Sequence, residues 1–104
     1  MTNKPLVIIE SPFAGEVERN TIYAKRCVLD SLRLGEIPFA SHLIYTQVLD
    51  DTIPEERTIG MDAGWGVIRY SEYSAVYIDY GISKGMAEGI KIAQDMGHKV
   101  YNRE

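Results

Sequence analysis

Cysteine is nearly absent from this sequence. The single Cys27 among 104 residues excludes an intrachain disulfide and fits a reducing, cytoplasmic setting. Histidine is almost as scarce. His42 and His98 lie far from each other and from Cys27, so no zinc-ligand spacing exists and no metal is expected. A basic stripe is missing too. The net charge is −4, and the densest charge cluster, Asp50 to Arg57, is mainly acidic, which argues against a nucleic-acid polymer as partner. No apolar run approaches the roughly 18–20 residues needed to span a bilayer. Met1–Pro5 leads straight into a strand-like run without a signal-peptide layout, so no membrane partner is expected. Repeats, low-complexity tracts and linkers are also lacking, and residues 1–104 read as one domain.

What is present has the balance of an ordinary globular chain, 45% hydrophobic and 25% charged, which argues against disorder. Leu6-Val7-Ile8-Ile9 is an unbroken apolar run closed by Glu10-Ser11-Pro12, the pattern of a strand buried on both faces of a parallel sheet. From Glu16 to Leu34 the periodicity turns helical, with Ala24, Cys27, Val28, Ser31 and Leu32 on one face, and Gly35 ends the helix. Ile37–Ala40 reads as a second strand, which Pro38 places at a sheet edge. Ser41–Asp51 is ambiguous between a short helix and a loop. Asp51-Thr52 followed by Pro54-Glu55-Glu56 marks a helix start, with a helix expected to about Tyr70. Within it Gly60, Ala63, Gly64 and Gly66 leave room for a close backbone neighbour. Ala75–Ile78 is the third strand. Ser83 caps a helix through Met96, Gly97 terminates it, and His98–Tyr101 forms the last strand. The order β-α-β-α-β-α-β predicts an α/β, Rossmann-like domain, about four parallel strands with helices on both faces.

In such sheets ligands bind beyond the carboxyl ends of the strands, near the switch in strand order. Three polar, glycine-bearing segments fall there: Ser11-Pro12-Phe13-Ala14-Gly15, Ser41-His42, and Asp79 to Met86. Ser83 as a cap would leave the amides of Gly85 and Met86 facing a ligand, and Gly85 removes a Cβ from the approach. Asp79 could accept from ribose hydroxyls, or be a turn residue. Asn20 continues the core stripe of the first helix toward the site, either to bind ligand or to pin the Ser11–Gly15 loop. Arg19 beside it is within reach of a phosphate. His42 is a structural or a site histidine. Phe13 is the aromatic placed to stack on a nucleobase, whereas Trp65 and the seven tyrosines read as core and interface.

Val7-Ile8-Ile9-Glu10-Ser11-Pro12-Phe13-Ala14-Gly15 resembles the first strand and loop of nucleoside 2-deoxyribosyltransferase-like proteins. The stretch from Ser83-Lys84-Gly85-Met86 through Ala93 and Gly97 to Val100 resembles that family's closing loop, helix and strand. The likeness covers about half of the chain, at its two ends. Small relatives of this kind occur in phage genomes. The resemblance implies a nucleoside or nucleotide ligand, and a glutamate on the last helix that attacks the sugar C1′ while an aspartate orients it. Counting from Gly85 to Ala93 and Gly97, that glutamate's position holds Gly89. Glu88 lies about 100° round the helix from it, within i,i+4 and i,i+3 reach of Lys84 and Lys91.

Three readings follow. The chain cleaves or transfers an N-glycosidic bond, with Glu88 (after a local shift) or Asp79 as the carboxylate and no cofactor required. Alternatively it binds a nucleotide without turnover, Gly89 making room for ligand. Or it is an interaction domain with a relict pocket. A domain this small and tyrosine-rich is also expected to form a homodimer or a larger even-numbered oligomer.

Overall fold

In the computed structural model, residues 3–104 are described. Four strands, β1 (Leu6–Glu10), β2 (Ile37–Phe39), β3 (Tyr73–Tyr77) and β4 (Lys99–Arg103), form one sheet in the order β2-β1-β3-β4. All three pairings are parallel, with Ile8 opposite Phe39 on one side and Ser74 on the other. Between the strands run α1 (Val17–Arg33), α2 (Pro54–Ile68) and α3 (Lys84–Asp95). The chain moves outward from β1 to β2, then crosses back over β1 to reach β3. That reversal is the topological switch point, and it lies between the ends of β1 and β3. The Cα radius of gyration, 12.9 Å, matches the roughly 13 Å expected of a single 100-residue domain.

Strand parity divides the core. Val7, Ile9, Ala75 and Tyr77 pack with Tyr23 and Cys27 of α1, while Ile8 packs with Ile68 of α2 and Ala93 of α3. Helices therefore cover both faces, as the unbroken apolar strands require. Pro38 sits on edge strand β2, where a missing N–H costs no ladder bond with a further strand. β4 runs two residues beyond the expected Tyr101, to Arg103.

The ambiguous stretch after β2 forms two single 3₁₀ turns, Ser41–Leu43 and Tyr45–Gln47, seated on α2. Two of the helix glycines permit this. A Cβ on Gly64 would lie 3.0 Å from Ser41 Cβ, and one on Gly60 would lie 3.3 Å from Leu49 Cδ1, whereas Gly66 faces open space. The start of α2 differs from expectation. Its N-cap is Ile53, whose side chain has no acceptor to cap with, and Thr52 before it donates from its amide and hydroxyl to Asp50 Oδ1, at 2.9 and 2.6 Å. It ends at Ile68, short of Tyr70. α3 is capped as expected. Met86 N–H donates to Ser83 Oγ, and Gly97 closes the helix at a φ of +76°, where a side chain would be strained. No helix among the described residues is long and apolar enough to cross a membrane.

Candidate functional site

The last residue of β1 organises the site. Ile8 and Glu10 share one face of the strand, so the parity that buries Ile8 against α2 and α3 aims Glu10 at α3 as well. Its carboxyl meets that helix at Gly89. A Cβ there would lie 2.9 Å from Glu10 Cδ, closer than real side chains come. The glutamate thus occupies the space that a side chain on α3 would otherwise fill. Glu10 is only 9% exposed, and burial pushes its carboxyl up from 4.5 to about 8, with no cation or hydrogen-bond donor working against that rise. At neutral pH it is a buried, protonated acid.

Glu10 opens on a chamber of about 140 Å³ at the switch point. Ile8, Phe39, Trp65 and Ile68 give it apolar walls, and Ser41, His42, Arg57 and Lys84 bring polar groups to it. It continues past Phe13, Thr46, Leu49 and Arg57 into a wider outer mouth of about 810 Å³ that holds Gly15 and Asp50. His42 stands in the inner chamber beneath Phe13, the two rings stacked at 5.4 Å and 16°. Burial is the main influence on His42 and holds its pKa below the usual 6.5; Arg57 acts in the same sense. The Ser11 main chain and Asp51 pull the other way. His42 is accordingly a neutral imidazole at pH 7.

The α3 amino terminus forms another wall through Ser83, Lys84, Gly85 and Met86. The first amides of a helix have no intrahelical acceptor. Met86 N–H, one of the two amides expected to face a ligand, is instead consumed by the Ser83 cap at 3.3 Å. No atom lies within 4 Å of the Cβ that Gly85 lacks.

Of the residues expected at the site, Phe13, His42, Ser83, Gly85 and Met86 share the inner chamber, and Gly15 borders the outer mouth. The others stand elsewhere. Ser11 and Pro12 are buried behind the wall, Ser11 Oγ without a partner. Asn20 pins the first loop, its Nδ2 donating to the carbonyls of Phe13 and Ala14 at 3.0 and 3.2 Å. Arg19 donates to Asn20 and lies 4.2 Å over the Tyr80 ring, away from the chamber. Both proposed carboxylates need correction. Asp79 is exposed on the α1 side, where it accepts from Tyr23 Oη at 2.6 Å. Glu88 is half-buried and does not line the chamber, to which α3 contributes Lys84, Gly85 and Met86; the buried stripe of the helix is Met86, Gly89 and Ala93. Glu88 also forms neither expected ion pair; Lys91 pairs with Asp95 at 2.9 Å.

Sequence reasoning missed Glu10, and the signal was present. A carboxylate ending a doubly buried strand, on the same parity as Ile8, must enter the core side of a helix. A glycine inside the buried stripe of α3 is the complementary mark. Trp65 also belongs to the chamber as well as the core. Among the described residues no cluster suited to holding a metal ion is found.

No curated protein and no solved structure matches the chain. The family model described as a domain of unknown function, DUF7768, matches residues 5–103, and the chain belongs to that family.

Proposed function

We propose that the chamber binds a nucleoside or nucleotide, and that Glu10 is the carboxyl group that acts on its N-glycosidic bond. One observation carries this reading: a buried carboxyl without a partner fills the place beside Gly89, where the resemblance expects a glutamate from the helix. The functional carboxyl then reaches the same point in space from the strand instead. Apolar and aromatic walls suit a base, and the Gly85 amide with Lys84 and Arg57 suits a phosphate or sugar hydroxyls. Gly89 in the helix position favours a second reading, binding without turnover. Chromatography for free base after incubation with nucleosides and their 5′-monophosphates separates the two.

Binding is tested by thermal shift. A ligand at 100 times Kd adds about 2.7 kcal/mol to stability. Gly85→Val, which points into open space, should fold normally and lose that shift. A full shift in the variant would place the ligand elsewhere. We assign the protein to the cytoplasm, where the buried Cys27 thiol would stay reduced. We also propose a homodimer or larger oligomer, which light scattering at micromolar concentration checks.

A further inference from the structure

A carboxyl can act on a glycosidic bond as nucleophile or as acid, and the surroundings of Glu10 discriminate. A nucleophile must be an anion with freedom to approach C1′. Glu10 is wedged against the α3 backbone at Gly89, with no donor or cation holding its oxygens. Burial without a partner favours the neutral form of a carboxyl, which is a proton donor and a poor nucleophile.

The chamber also contains an acceptor. The titratable groups that line the chamber with Glu10 are His42 and Tyr45 from the 3₁₀ turns, Asp51 before α2, Glu56 and Arg57 within it, and Lys84 of α3. Arg57 and Lys84 carry no acceptor when charged. Asp51 and Arg57 stand where the chamber meets the outer mouth. Glu56 already accepts from the Asp50 amide at 2.9 Å. A phenol such as that of Tyr45 is a weak proton acceptor, which leaves His42, an imidazole whose plane is fixed by Phe13 and whose burial keeps a lone pair free. Two titratable groups in one chamber, displaced in opposite directions, mark an acid and a base.

We propose that the chamber hydrolyses the N-glycosidic bond with inversion, Glu10 protonating the departing base while His42 deprotonates the attacking water. This step rests on the nucleoside reading above. Water oxygen forms a bond to C1′ and gives its proton to His42. The C1′–N bond breaks, its electron pair goes to the base nitrogen, and that nitrogen takes the Glu10 proton. Nucleoside and water become free sugar and free base. Proton return from His42 to Glu10 through solvent resets the site. Glu10 must be protonated, so the rate falls as pH rises through about 8. His42 must be neutral, so the rate falls again as pH drops through a value below 6.5.

The full-length protein, at high concentration, is mixed with β-nucleosides and their 5′-monophosphates, and the first sugar product is read by NMR before it mutarotates. A second free base is added in a parallel reaction. The expected result is the α-anomer, no exchange into the second base, and a bell-shaped pH profile. Glu10→Gln should lose about 10²-fold or more in rate together with the high-pH limb, and His42→Gln a similar factor with the low-pH limb. A β-anomer, base exchange, or a Glu10→Gln variant at full rate would overturn the proposal. So would binding without any free base, although the ligand reading would survive it. Absence of a thermal shift with every nucleoside and nucleotide would instead remove the reading beneath.

Discussion

Glu10 and Glu36 are both buried glutamates, 9% and 5% exposed, and their environments drive them in opposite directions. Glu36 precedes β2 and is saturated with donors. It accepts from Ser31 Oγ at 2.7 Å, from the Tyr73 hydroxyl, and from both Arg103 terminal nitrogens at 2.8 and 2.7 Å. These hold its carboxyl down at about 2, Arg103 contributing most. Glu10 has as little exposed surface, but it lies deeper and has none of the donors, and it rises to about 8. Exposed surface alone therefore does not set the charge of a buried acid; depth and partners together do. The paired glutamate ties α1, β2, β3 and β4 together. The unpaired one stands at the switch point and lines the chamber, where a carboxyl that no protein donor holds is open to a ligand.

The largest effect should come from unpairing Glu36. Arg103→Ala leaves a buried carboxylate facing only hydroxyls, and should cost about 3 kcal/mol in urea denaturation at neutral pH. The double variant Arg103→Ala with Glu36→Gln should recover part of that loss, because no charge is left buried. If the double variant is the less stable of the two, the pair is not the source of the cost. Glu36 has a folded pKa below its unfolded 4.5, so its contribution is present above 4.5 and is lost as pH falls toward 2.

Glu10 should give the opposite dependence. Its folded pKa lies above its unfolded 4.5, so the native state holds the proton more tightly. Stability from this group is complete below 4.5 and declines as pH rises toward about 8. The decline should be about 2 kcal/mol between pH 5 and 7. His42 opposes it in part, since its lowered pKa makes folding more favourable as pH rises through the range below 6.5. Comparing wild type with Glu10→Gln across this range isolates the glutamate. Parallel pH curves for the two proteins would mean Glu10 is not buried as a neutral acid.

The sequence was informative where geometry is local or periodic. Unbroken apolar strands, Gly35 and Gly97 at helix ends, Ser83 as a cap and Pro38 at an edge follow from steric and hydrogen-bonding rules that act within a few residues. The four-strand parallel architecture follows from their order. The helix start at residue 53 was less legible, because the chain enters α2 one residue after Thr52, at an isoleucine that cannot cap. The Glu36 network was not anticipated at all. It joins residues up to 67 positions apart, and no local pattern brings Arg103 to Glu36. The candidate site was half legible. The loop and helix start lie where strand order puts them, but the resemblance places the carboxyl on α3, whereas β1 brings Glu10 to the chamber. The parity of Glu10 with Ile8 and the gap at Gly89 were each legible, but no local pattern pairs two positions so far apart in the chain.

That exchange of space gives the subtlest prediction. Gly89→Ala has two effects of opposite sign. Alanine improves helix propensity by about 1 kcal/mol over glycine. Its Cβ would also press on the Glu10 carboxyl, 2.9 Å from Cδ, and overpacking of this kind costs about 1–3 kcal/mol. In the wild-type background these should nearly cancel or leave a small loss. In a Glu10→Ala background the obstruction is gone, and the same substitution should stabilise by about 1 kcal/mol. The difference between the two backgrounds is the coupling between strand and helix, measurable by urea denaturation of the four proteins in a double-mutant cycle. Coupling of about 1 kcal/mol or more would tie the residue-10 carboxyl to the residue-89 vacancy. Additivity within about 0.3–0.5 kcal/mol would mean that Glu10 turns aside at little cost, and that the two positions are independent.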